Sequence, residues 1–162
     1  MKRLIFAFIL CLNFYLANSV SLDRLNKVEH KIYLLSGQHY DSIALDICNI
    51  VNPEHEDDII SIIFKESEFN ERATSKKYWG EYRDYGLMQI SSYYFKFNKV
   101  KIYESYYNIS IGYAYYLECL DDSKGSSYYA FQRYNGSIEY ADEVIQIKYK
   151  LLERIFYDRI YS

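Results

Sequence analysis

The sequence predicts a mainly α-helical single domain, and three observations carry that expectation. A chain of 162 residues is one domain's length. It holds one Pro, Pro53, and six Gly, too few breakers for a turn-rich β-sandwich. Apolar residues recur at three- and four-residue intervals in segment after segment. Half of the residues are hydrophobic and a quarter are charged, so the chain can bury a core and is not of a disordered class. The formal charge is −3, with no basic run beyond the N-terminus, which argues against a nucleic-acid partner. The 21 tyrosines read as compositional bias, so only Tyr at particular places carries weight.

Residues 1–19 have the form of a secretory signal peptide. Lys2 and Arg3 precede an apolar run, Leu4 to Ala17, and Ala17-Asn18-Ser19 puts small residues at the −3 and −1 places for cleavage before Val20. The run is short for a membrane span, and an uncleaved anchor is the alternative. Cys11 follows Leu10, where a lipidation site wants a small residue. Losing Lys2 and Arg3 leaves 17 basic against 22 acidic residues, a net charge of −5 over residues 20–162. The exported chain keeps Cys48 and Cys119, which either form one disulfide or sit buried as small apolar residues. His30, His39 and His55 have no ligand spacing, so no metal is expected.

The elements follow in order. Ser21 to Leu35 is a helix with Leu22, Leu25, Val28, Ile32 and Leu35 in rough period, ended by Gly37. Tyr40 to Val51 is a second, with Ile43, Ala44, Ile47 and Cys48 on one face. Asn52 is a good N-cap for a third, Pro53 suits its first position, and Glu54, Glu56, Asp57 and Asp58 favour the positive N-terminus. From Asn70 to Tyr85 the chain is polar and aromatic without a period, a loop with room for a short strand pair. Gly86 to Tyr94 is read as helix, Asn98 to Tyr103 as a connection, and Tyr107 to Leu120 as helix. Asp121 to Gly125 is a turn, and Ser126 to Tyr134 is helical. Asn135-Gly136-Ser137 breaks it, and Ile138 to Tyr157 closes the chain with Val144, Ile147, Leu151, Leu152 and Ile155 inward.

The third helix holds the candidate acid. Ile59, Ile62, Ile63 and Glu66 fall at i, i+3, i+4 and i+7 and share one face. A carboxyl that continues an apolar stripe is harder to ionise, because desolvation disfavours its charged form, and that is what a general acid near neutral pH requires. The alternatives are an outward turn, or pairing with Lys65 or Arg72. Glu68 lies about 200° further round and cannot share a small target with Glu66.

Four blocks in order resemble the soluble lytic transglycosylases. Glu66-Ser67, Phe69-Asn70 and Ala73 match an E-S-x-F-N-x-x-A block, and Gly86-Leu87-Met88-Gln89-Ile90 matches G-L-M-Q-I. Asn108-Ile109 with Gly112 and Tyr115 is similar to N-I-x-x-G-x-x-Y-L, with Tyr116 in place of Leu. Ala130 to Ser137 resembles a-x-x-A-Y-N-A-G, and Tyr140 to Val144 the Y-V-x-x-V that follows. Arg133 replaces a small residue and Gly136-Ser137 replaces Ala-Gly. Asp84 to Ser92 also looks like the small muramidases that accompany secretion systems.

The resemblance implies a lysozyme-like fold with a loop or β-hairpin inserted after the catalytic helix. It spans about residues 53–147. It implies cleavage of the β-1,4 bond between N-acetylmuramic acid and N-acetylglucosamine in peptidoglycan, without a cofactor, in the periplasm or envelope. Glu66 would be the acid and later the base, with Ser67 beside it. Met88 and Gln89 would line the cleft floor, Tyr134 and Asn135 would face the sugar, and Tyr140 would approach Glu66. Without the likeness, Met88 reads as core and Asn135 as a capping residue. Tyr78, Trp79, Tyr82 and Tyr85 make either a stacking wall for sugars or a hydrophobic lid. Expected partners are glycan strands and an envelope-spanning secretion or motility apparatus. Two other activities stay open: a goose-type hydrolase with Asp84 as second carboxylate, and a catalytically weak peptidoglycan-binding accessory subunit.

Overall fold

The computed structural model describes residues 20–78 and 80–161. The expected leader, 1–19 with Cys11, and Trp79 lie outside the described residues. Six helices appear among the described residues: α1 Leu22–Ser36, α2 Asp41–Ile50, α3 Glu56–Ser67, α4 Ser105–Asp122, α5 Ser127–Asn135 and α6 Ile138–Tyr161. An antiparallel hairpin, β1 Asp84–Tyr85 with β2 Ile90–Ser91, stands between α3 and α4, so the mainly α architecture with a hairpin insertion is as expected.

Packing runs α1 to α2, α2 to α4, α4 to α5, α5 to α6 and α6 back to α1. Against α1 and α6 of that ring packs α3, whose residues Ile59, Ile60, Ser61, Ile62 and Ile63 are all fully buried. The one-sided stripe read from sequence was therefore too narrow. A helix enclosed by neighbours buries its whole circumference. The start of α3 also differs. Pro53–His55 forms a 3₁₀ turn, and the Asn52 side chain makes no capping bond. Two of the four acids expected only to favour the helix N-terminus, Glu56 and Asp58, are built into the core, while Glu54 is exposed. Glu56 is paired with Arg24 at 2.7 Å and Lys31 at 3.1 Å. Asp58 is paired with Lys148 at 2.5 Å and accepts from the Tyr116 and Ser127 hydroxyls.

Two apolar residues expected inward are exposed, Leu22 and Leu152. Leu22 opens α1, beyond its buried Val28 and Ile32. Leu152 follows fully buried Leu151 by one residue, about 100° around the helix, so only one of the pair faces the core. Cys48 and Cys119 are both free and buried, so they serve as small apolar residues and the disulfide alternative falls.

The stretch read as helix from Gly86 to Tyr94 is instead the hairpin turn, β2 and a following turn. Its apolar spacing comes from Leu87 and Met88 in the turn and Ile90 in β2, all buried in the core. Gly86 at φ 74° and Gln89 at φ 46° are left-handed, which no α-helix accommodates.

Candidate active site

Side-chain to backbone bonds lock the hairpin onto the helices, and the residues that make them are those of the four sequence blocks. Asn108, buried in α4, accepts from the Met88 N–H at 2.8 Å and donates to the Tyr85 and Ile102 carbonyls, both at 2.9 Å. Gly86 faces that amide: a β-carbon there would collide with Asn108 and stand 2.8 Å from the Ile102 carbonyl. Gly112, one turn along α4, leaves room for the Met88 side chain, which a β-carbon would strike. Ser67 donates to the Leu87 carbonyl at 2.9 Å. Tyr134 donates to the Met88 carbonyl at 3.0 Å, and Gln89 to that of Gly86 at 2.8 Å. Gly136 at φ 89° ends α5, and the Ser137 hydroxyl accepts from the Tyr140 N–H to start α6. Tyr134 and Tyr140 thus enter the site from two helices joined by a tight turn.

A cleft of about 190 Å³ opens against this hairpin. Glu66, in the last turn of α3, forms part of its wall, with Gln89, Tyr134 and Asn135. The Glu66 carboxyl is raised from its usual 4.5 to about 7. Burial is the main cause, the nearby Asp84 charge adds to it, and Tyr140 and Lys65 pull the other way. Neither alternative partner neutralises Glu66: Lys65 pairs with Glu143, and Arg72 lies over the Tyr103 ring at 5.3 Å. The Tyr140 hydroxyl is buried, faces Glu66, and has no hydrogen-bond partner within ordinary limits. Burial, then the charge of Glu66, holds the Tyr134 and Tyr140 phenols well above their usual range, so both remain donors.

The remaining expected residues sort as follows. Met88 is fully buried against Gly112 and is core, not cleft floor; its carbonyl and N–H, not its side chain, serve the site. Ser67 ties α3 to the hairpin and does not line the cleft. Glu68 is exposed, as expected. Of the expected aromatic wall, Tyr78 lines the cleft and donates to Asp84 at 2.6 Å, with Ser91 Oγ also at 2.6 Å. Tyr85 packs against Phe97 and Tyr103, and Tyr82 against Tyr93. Sequence reasoning missed Phe95, Tyr94 and the role of Tyr115. Phe95, Tyr115, Tyr134 and Tyr140 form a continuous row of rings with centroids 5.1–6.4 Å apart. Only the i, i+3 placement of Gly112 and Tyr115 hinted at this.

Backbone strain gathers here. Glu68 at φ 51° and Phe69 at φ 64° end α3, and Gln89 stands across the cleft. Each left-handed non-glycine residue costs about 1–2 kcal/mol, so packing around the site must hold them.

Outside the cleft, Glu29, His39 and Asp41 bring ligand atoms within 4.8 Å of one another, which their sequence spacing does not reveal. His39 Nδ1 pairs with Glu29 at 2.8 Å, so an ion pair accounts for the cluster.

The arrangement offers one desolvated acid, its pKa raised to about 7 so that it is partly protonated at neutral pH and its neighbour Lys65 paired elsewhere, in a groove of phenols, amides and rings. That set can donate a proton to an uncharged oxygen bridge while amides and phenols hold surrounding hydroxyls. A family model described as a transglycosylase SLT domain matches residues 52–156. Neither a curated protein nor a solved structure matches the chain.

Proposed function

The chain belongs to the transglycosylase SLT domain family, whose substrate is peptidoglycan, and from that premise we propose that it is an exported lytic transglycosylase. It cleaves the β-1,4 bond between N-acetylmuramic acid and N-acetylglucosamine. The carrying observation is Glu66: a cleft carboxyl lifted to about 7 by burial, whose neighbour Lys65 is ion-paired to Glu143 instead.

The chemistry uses that one group twice. Glu66 gives its proton to the glycosidic oxygen as the bond to C1 breaks. The substrate's own N-acetyl group steadies the electron-poor C1. Glu66, now a carboxylate, takes the proton of the C6 hydroxyl as that oxygen bonds to C1. A 1,6-anhydromuramic end results, no water is consumed, and Glu66 returns to its starting state. Tyr134 and Asn135 from α5, and Gln89 from the hairpin, hold the sugars. Tyr140 donates toward Glu66 after the first proton transfer, when a carboxylate is there to accept. Residues 1–19 direct export to the periplasm or envelope and are removed before Val20. An accessory place beside a secretion or motility apparatus rests on the motif likeness alone.

A second reading is hydrolysis, favoured by Asp84, which shares the cleft and raises Glu66. Asp84 would hold a water in place of the C6 hydroxyl. Digestion of purified sacculi followed by mass spectrometry tests both. Anhydromuropeptides, absent with Glu66→Gln, are the expected result. Products heavier by one water would replace this reading with the hydrolase. Binding to sacculi with no soluble product would mark an accessory subunit.

A further inference from the structure

The cleft is small for a polymer substrate. At about 190 Å³ it falls below the roughly 300–1,000 Å³ of ordinary small-molecule sites. It holds only part of a glycan strand, so the rest lies on the protein surface beyond it.

One edge of that mouth is unusual. Tyr94 lines the cleft, yet its side chain is 71% exposed. It stands edge-to-face on Tyr93, centroids 4.8 Å apart at 88°, and Tyr93 stands edge-to-face on Tyr82, 4.9 Å apart at 87°. The turn beneath them is tied down. The Tyr93 N–H bonds Ser91 Oγ at 3.2 Å, and the Phe95 N–H bonds the Ser91 carbonyl at 3.0 Å. Ser92 Oγ both accepts from the Arg83 N–H and donates to the Arg83 carbonyl. Tyr93, itself backed by Tyr82, and a braced turn thus hold an amphipathic ring open to solvent, continuous with the cleft. Core packing does not require that ring, since the core closes over Leu87, Met88 and Ile90 beneath it.

We propose that Tyr94, braced by Tyr93 and Tyr82, is the stacking platform for a saccharide unit outside the cleft, so that the protein selects glycan strands over short saccharides. This rests on the function proposed above. The chemistry that recognises the ligand is a pyranose face of C–H bonds lying on an aromatic ring, with ring hydroxyls left in water. The phenols of Tyr82, Tyr93 and Tyr94 offer ring faces beside hydroxyl groups, which suit the C–H face and hydroxyls of a sugar.

The test separates binding from turnover. Glu66→Gln protein, which binds without cutting, is titrated calorimetrically with amidase-stripped glycan strands and with the single disaccharide. Strands should bind about 10-fold tighter than the disaccharide, a difference of about 1.4 kcal/mol. Adding Tyr94→Ala should remove most of that advantage, and Tyr94→Trp should restore it. Equal binding of strands and disaccharide, or strand preference intact in Tyr94→Ala, would overturn the platform. Circular dichroism of each variant excludes misfolding as the cause of a loss. Failure of the proposed reaction is read separately, from wild-type protein and sacculi: no anhydro product there leaves the calorimetric result standing as evidence on the platform itself.

Discussion

The two ends of α3 carry buried carboxylates that the chain treats in opposite ways. At the N-terminal end Glu56 and Asp58 are 5% and 2% exposed, more deeply placed than Glu66, and each is met by cations and hydroxyls. At the C-terminal end Glu66 has lost solvent, gained an acidic neighbour in Asp84, and seen its adjacent Lys65 diverted to Glu143. Twelve residues of one helix therefore hold both a structural ion cluster and a candidate acid. Depth of burial does not distinguish them; the presence of a countercharge does.

The comparison breaks most sharply under substitution at Glu66. Glu66→Gln should reduce release of soluble glycan from sacculi by about 10³-fold, since proton donation is lost with shape kept. Its melting temperature at pH 6 should not fall. A variant that lost fold along with activity would make Glu66 structural like Glu56.

At the other end the loss should fall on stability. Lys148→Met leaves Asp58 buried without its cation and should destabilise the fold by about 3 kcal/mol, measured by urea titration at pH 7. The residual native protein should retain its activity per folded molecule.

The pH dependence of stability comes next. Glu66 binds its proton more tightly folded, near 7, than unfolded, near 4.5, so ionisation opposes folding. This contribution is fully present below about 4.5 and is lost as pH rises through about 7. Glu66→Gln should therefore gain about 3 kcal/mol over wild type at pH 8, and almost nothing at pH 4. Parallel denaturation curves at the two pH values decide it. Wild-type activity should fall along the same alkaline limb, because the acid must enter the cycle protonated.

The smallest effect belongs to Tyr140. Its hydroxyl pulls Glu66 toward ionisation, so Tyr140→Phe should move the alkaline limb of the activity profile upward by a few tenths of a pH unit. A downward shift would mean that Tyr140 stabilises the protonated acid instead.

Much of the helical frame was legible because 3.6-residue spacing is a local property. The helix starting at Ser21 and the turns at Gly37 and Gly136 lie where the sequence places them. The hairpin was not legible, because the period of Leu87, Met88 and Ile90 imitates a helix. What overrides it is Asn108, 20 residues away, bonding the turn's backbone. Met88 shows the same limit within the site: its motif put it beside the cleft, and the fold turns its side chain into the core.

Periodicity and motif alone were enough to place the protein as mainly helical, to put Glu66 at the end of an apolar stripe, and to show which family its four blocks resemble. It took the packed molecule to show that Lys65 is paired away from Glu66, that Glu56 and Asp58 meet cations, and that Tyr94 stands open at the cleft mouth. Spacing along a helix follows from its own geometry. A carboxyl's charge depends on what distant segments bring beside it, and Arg24, Lys148 and Tyr140 arrive from helices that only folding places there.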